Sequence, residues 1–255
     1  MSAEKFIGEV LGTMILILLG DGVVAGVLLA KSKAFASGWI VIAMAWGMAV
    51  FAGIAVAGTF TGAHMNPAVT LAVFLDNQVK STGAFGVDSL LGYWGGEMIG
   101  AMIGATLVFL HYYPHWAETE DAGLKLAVFS TGPAIRNMTW NLVSEIIGTF
   151  VLIFVGFSLG NAAGVNSSIG GALGWGLLVL VIGLGLGGTT GYAINPARDL
   201  GPRIMHAVLP IAGKGSSDWE YAWIPVVGPL IGGALGWAVY YYGITEFVAK
   251  ALAPK

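Results

Sequence analysis

"GAHMNPAVTLA" (Gly62–Ala72) and "GYAINPARDLG" (Gly191–Gly201) decide the fold. Each sets Asn-Pro-Ala between a glycine-led approach and an apolar run, and Asn195 follows Asn66 by 129 residues. Asn is a preferred helix N-cap, and Pro suits the first helical position, where a missing N–H costs nothing. Asn66-Pro67-Ala68 and Asn195-Pro196-Ala197 therefore read as two helix starts. The helices they open are short, roughly residues 67–77 and 196–207. At a rise of 1.5 Å per residue each is about 16 Å long, half the thickness of a bilayer core.

The rest of the chain explains why a half-length helix is useful. Of 255 residues, 56% are hydrophobic and 10% charged, against about 25% charged in a soluble domain. Mean hydropathy is +0.81. Forty glycines suit close helix packing inside a membrane. A net charge of -3 leaves no nucleic-acid footprint, and the absence of cysteine excludes disulfide and thiol chemistry. Six apolar stretches are long enough to span, at about 6–30, 38–58, 86–112, 137–160, 169–187 and 221–243. The first, Phe6 to Ala30, exceeds a signal-peptide core and lacks a basic lead-in, so it reads as a retained span.

The longest polar connection, 113–136, carries Glu118, Glu120, Asp121, Lys125 and Arg136 and divides the chain into halves 1–112 and 137–255. The halves repeat. "GEVLGTMILILLG" (Gly8–Gly20) matches "SEIIGTFVLIFVG" (Ser144–Gly156) at a spacing of 136, and "GEMIGA" (Gly96–Ala101) matches "GPLIGG" (Gly228–Gly233) at 132. Three full spans per half reverse the orientation of the second, which is the inverted-repeat logic of membrane transport proteins. The expectation is an all-α membrane protein, six transmembrane helices plus two re-entrant half-helices, with both ends on one side. Lys5, Lys80, Lys250 and Lys255 fall on that side, and Lys31, Lys33, Lys125, Arg136 and Lys214 on the other. Charge bias therefore does not orient the chain.

Inversion makes the two half-helix starts face each other, each with a partial positive charge of roughly +0.5. Irregular backbone at this depth must be buried or line a watery cavity. The expectation is a pore. Carbonyls and side chains of Gly62, Ala63, His64, Thr190, Gly191 and Ala193 form its walls and vestibule, and the caps Asn66 and Asn195 turn their NH2 groups to the lumen. Facing positive helix ends disfavour cations and hydronium. Glu9 and Glu145, at matched positions, are expected to accept hydrogen bonds from the re-entrant loops. Arg198 is expected in the pore, because an intramembrane charge is functional by default. Asp199 and Arg203 are expected to pair at i, i+4 on the half-helix.

With paired Asn-Pro-Ala triplets, paired Glu-x-x-Gly-Thr elements and Arg198 directly after the second triplet, the chain resembles the major intrinsic protein family, the aquaporins and glycerol facilitators, over nearly its whole length. The resemblance implies a right-handed bundle, a homotetramer with one pore per subunit, and cytoplasmic termini in the plasma membrane. It places an outer selectivity filter at Trp46, Gly183, Tyr192 and Arg198. Gly183 and Trp46 follow the glycerol-facilitator pattern, as do Asp199, Arg203 and Pro225. Tyr192 departs from it where Phe is common, and its hydroxyl either narrows the pore or adds a hydrogen-bond partner. Trp46 and Tyr192 would face the carbon edge of glycerol and Arg198 its hydroxyls, with Gly183 leaving room.

The implied function is a passive channel for glycerol, water and other small neutral solutes. A water-dominant pore and an ion-coupled carrier are the rivals. No cofactor, metal or catalytic group is expected: His64 has no second ligand spaced to help, and no Ser/His, paired-Asp or HExxH arrangement occurs. "GLGLGG" (Gly183–Gly188) fits a dinucleotide pattern but sits at the end of an apolar span, not after a strand. Asn137-Met-Thr139 and Asn166-Ser-Ser168 fit glycosylation sequons. Tyr240–Tyr242, Trp219 and Trp223 are expected in interfacial belts.

Overall fold

The computed structural model describes residues 1–81, 83–163 and 169–247. The sequon at Asn166 and the terminal Lys250 and Lys255 lie outside them. Helices follow in the order α1 (Ala3–Leu28), α2 (Trp39–Thr61), α3 (Pro67–Val79), α4 (Val87–His111), α5 (Tyr113–Glu118), α6 (Ala122–Phe129), α7 (Met138–Ala163), α8 (Ile169–Leu186), α9 (Pro196–Val208) and α10 (Ile224–Ala238), which continues as a π-helix over Val239–Thr245. No strand occurs among the described residues. Six of these helices are long and apolar enough to cross a membrane. Their outward faces expose Ile7, Leu19, Ile40, Met44, Leu91 and Val181, as lipid rather than water demands.

Helices pack in pairs, α1 on α2 and α4, α7 on α8 and α10, with α2 crossing α8 between them. Glycine makes the approaches possible. A Cβ at Gly104 would stand 2.7 Å from the Met14 carbonyl oxygen, and one at Gly236 2.7 Å from that of Phe150. Where α2 crosses α8, a Cβ at Gly47 would stand 2.6 Å from the Gly176 carbonyl and one at Gly176 2.7 Å from the Gly47 carbonyl. Backbone against backbone is how membrane helices gain dispersion contact where no hydrophobic force draws them together. Each half-helix leans on the other half of the chain, α3 on α10 and α9 on α4.

Two expectations change. Residues 113–136 are not wholly a polar loop: they hold α5 and α6, whose Trp116, Val128 and Phe129 are buried. Apolar side chains there cap the bundle, with Trp116 between Phe109 and Phe129, while Asp121 caps α6 through Gly123 N. Arg136 closes this segment on Asp218, and that hydrogen bond raises the hold of the guanidinium on its proton. The second change is Tyr240, which is buried against Phe157 rather than in a belt, whereas Tyr242, Trp219 and Trp223 are exposed.

Candidate functional site: a pore between two re-entrant loops

Both loops adopt one unusual backbone. Gly62 and Gly191 have φ of +86° and +84°, Ala63 and Tyr192 +52° and +40°, Met65 and Ile194 +50° and +42°. Left-handed non-glycine residues cost about 1–3 kcal/mol each and persist only where their surroundings over-determine them. Here a buried carboxylate does so. Glu9 accepts from His64 N (3.1 Å), Met65 N (2.7 Å) and Thr61 Oγ1 (2.5 Å). Glu145 accepts from Ala193 N (3.0 Å), Ile194 N (2.9 Å) and Thr190 Oγ1 (2.7 Å). Three donors on each carboxylate hold the turns.

At the helix starts Asn66 Oδ1 accepts from Ala68 N (2.9 Å), and Asn195 Oδ1 from Ala197 N (3.0 Å) and Arg198 N (3.1 Å). The amides do not turn to the lumen alone. Asn66 Nδ2 donates to Ile194 O (2.8 Å) and Asn195 Nδ2 to Met65 O (2.7 Å), so each loop clasps the other. Each NH2 has two protons, and one is committed across the junction.

Beyond the junction Trp46, Tyr192 and Arg198 surround a narrow space of about 40 Å³, closed by Leu16, Leu152 and Val179. The Arg198 Cζ lies 4.1 Å from the Trp46 ring centroid, within cation–π range. Gly183 is not part of that lining. Its missing side chain is replaced by the tyrosine: a Cβ at Gly183 would stand 2.7 Å from Tyr192 Cζ. Trp39 fixes the notch, donating Nε1 to Gly183 O (2.9 Å) and meeting Tyr192 edge-on. Among the described residues the buried Tyr192 hydroxyl has no partner.

One group at this site was not singled out from the sequence. Asp21, fully buried in α1, places Oδ1 3.5 Å from Arg198 Nη1, and its Oδ2 has no partner among the described residues. Phe129 O lies 3.4 Å from the same Nη1. An acid inside an apolar span was the available signal. Asp199 does not meet Arg198. Its carboxylate receives Arg203 Nε (2.8 Å), Thr131 N (2.7 Å) and Thr131 Oγ1 (2.7 Å), and Arg203 goes on to the carbonyls of Thr131 and Ser217. This cluster ties α9 to the connecting segments. On the other side of the junction His64 sits over Tyr93, and its Nδ1 lies 3.0 Å from Thr70 Oγ1, which donates to Glu97 (2.5 Å). Among the described residues no cluster of His, Cys, Asp and Glu could hold a metal.

The arrangement sets two clasped helix starts between a cavity of about 480 Å³ and a space of about 40 Å³ that Arg198 lines. Comparison with known proteins agrees. The family model for the major intrinsic protein matches residues 1–241. The chain is 54% identical to glycerol uptake facilitator protein 3 of Lactiplantibacillus plantarum, covering 92% of this chain and 94% of that one. It is also 54% identical to the glycerol uptake facilitator protein of Streptococcus pneumoniae, covering 93% and 98%. The X-ray structure of the aquaglyceroporin from Plasmodium falciparum superposes with a TM-score of 0.81 at 28% identity, over 97% of this chain and 98% of the other. The chain belongs to the major intrinsic protein family.

Proposed function

We propose that the chain is a passive membrane channel for glycerol, water and other small neutral solutes, and that it excludes ions and protons. The observation that carries this is the reciprocal clasp of Asn66 and Asn195 at two facing helix starts, next to a constriction holding Arg198. A cation there meets two positive helix ends and a guanidinium, and an anion loses its water among Leu16, Leu152 and Val179. A neutral polyol loses less, because loop carbonyls and Arg198 replace its hydration one hydrogen bond at a time.

In this reading Trp46, Tyr192 and Arg198 form the selectivity filter, and Gly183 acts from behind by seating Tyr192. Gly62, Ala63, His64, Thr190, Gly191 and Ala193 line the approach, and Glu9, Glu145, Asp199 and Arg203 hold the frame. The halves 1–112 and 137–255 act as inverted repeats joined by 113–136. The protein assembles as a homotetramer in the plasma membrane with cytoplasmic termini. The names of the glycerol uptake facilitators support glycerol as solute. The narrowness of the constriction favours a second reading, a pore that passes water and rejects polyols.

Stopped-flow light scattering on one batch of proteoliposomes separates them. Shrinkage in sorbitol reports water, and re-swelling in glycerol reports the polyol. Re-swelling well above that of empty liposomes is expected. Fast shrinkage with glycerol no faster than in empty liposomes would overturn the glycerol reading, and dependence of either flux on a proton or sodium gradient would overturn the passive one.

A further inference from the structure

The filter positions have counterparts one repeat away. Shifted by the 129-residue spacing of the triplets, Trp46, Gly183, Tyr192 and Arg198 fall on Trp175, Ile54, Ala63 and Val69. All four counterparts line a single cavity of about 480 Å³. The chain direction of α2, α7 and α8 puts it on the side of the termini, across the Asn-Pro-Ala junction from Arg198. The register holds in detail: a Cβ at Gly20 would collide with the Trp46 indole, and one at the matching Gly156 with the Trp175 indole. At the 136-residue spacing of α1 and α7, Asp21 corresponds to Phe157, which lines the same cavity. The outer ion pair Arg198–Asp21 thus has Val69 and Phe157 as its inner counterpart.

Among the described residues no Asp, Glu, Lys or Arg lines this cavity, and its volume lies in the range of sites for small organic ligands, about 300–1,000 Å³. Its polar side chain is His64. His64 Nδ1 lies 3.0 Å from Thr70 Oγ1, which is itself 2.5 Å from Glu97 Oε1, so Thr70 engages Nδ1 and Nε2 is the ring nitrogen left for a ligand. That nitrogen lies close to Gly62, another lining residue.

We propose that the inner cavity is a binding site for neutral amphipathic molecules that have a hydroxyl head and a compact aromatic or branched aliphatic body. The head hydrogen-bonds His64 Nε2, and the body lies against Trp175, Ile54, Val69 and Phe157. Such a molecule fits about 480 Å³ but not the outer space of about 40 Å³, so it stops in the cavity and blocks the solute path. Blocking rests on the channel reading above, whereas binding does not.

The test uses glycerol monophenyl ether as probe. Equilibrium binding of the labelled compound is measured on the full chain in lipid nanodiscs, with protein-free nanodiscs subtracting lipid partition, and glycerol re-swelling of proteoliposomes is followed with increasing probe. Saturable binding is expected, with a matching loss of glycerol flux. Trp175→Ala should weaken binding about tenfold, Trp175→Phe less, and Trp46→Ala less than about twofold, since tenfold corresponds to ~1.4 kcal/mol, within the range of one aromatic contact. Because each variant's block is scored against its own uninhibited rate, a change in basal flux does not enter. No binding above protein-free nanodiscs, or binding that responds to Trp46→Ala and not to Trp175→Ala, would overturn the site. Binding that responds to Trp175→Ala in a protein without glycerol flux would uphold the site and overturn the glycerol reading instead.

Discussion

On one side of the Asn-Pro-Ala junction Arg198 lies over the Trp46 ring with the buried Asp21 behind it, beside a space of about 40 Å³. On the other side Val69, Trp175 and Phe157, at the positions that match by spacing, line a space of about 480 Å³. The backbone beneath both mouths is nearly the same: paired loop φ values differ by 2° to 12°, and a carboxylate on each side accepts the same three donors. One kind of frame therefore holds the loops on both sides, and different residues at a few lining positions leave one side narrow and the other roomy. An ion pair on one side and an apolar pair on the other, both members exchanged together, is what intramembrane energetics requires, because a charge alone at that depth is costly.

The comparison breaks most readily at Gly183 and its counterpart Ile54. Gly183→Leu puts a Cβ 2.7 Å from Tyr192 Cζ and drives the ring into the lumen. Glycerol flux should fall at least about tenfold, the effect of ~1.4 kcal/mol added to a barrier, whereas Ile54→Leu, in the roomy cavity, should change it less than about twofold. Equal losses in the swelling assay would mean that both mouths limit flux.

Asp21 sharpens the contrast in charge. Asp21→Asn leaves Arg198 without its counter-ion and should destabilise the detergent-solubilised protein by about 1–3 kcal/mol, below the ~3–5 kcal/mol of a wholly buried pair because Arg198 borders the lumen. A double-mutant cycle with Arg198→Gln, read by thermal unfolding, should show coupling of at least about 0.5 kcal/mol. Additive losses would mean that Asp21 serves something other than the arginine. The smallest effect is expected at Tyr192. Tyr192→Phe removes a hydroxyl that is buried without a partner, so stability should rise by up to about 1 kcal/mol and glycerol flux should stay within about twofold. A large fall in glycerol flux with water unchanged would show that the hydroxyl bonds the solute in transit.

Much of this was legible in the chain. Spans, half-helices and their caps follow from apolar run length and from Asn-Pro chemistry, and Glu9 and Glu145 were readable as loop supports because they recur in register. The filter positions were placed by resemblance, since nothing local in Trp46 or Gly183 says that α2 and α8 meet around one space. Asp21 escaped because its partner is 177 residues away. The clasp between the asparagine amides escaped for a like reason: an N-cap is a local event, whereas the second use of the same side chain depends on how two distant loops dock. Gly183 was read as empty room, and only the fold reveals that Tyr192 fills it.

The clasp also bears on how the chain is made. The Met65 carbonyl takes its hydrogen bond from Asn195, and Asn195 leaves the ribosome 129 residues later. At synthesis rates of about 5–20 residues per second that delay is on the order of ten seconds. Until then the first re-entrant loop has Glu9 as a partner but no mate across the junction. The first half of the pore is made long before its clasp can close, and Glu9 is the buried group within that half that can hold the strained turn meanwhile.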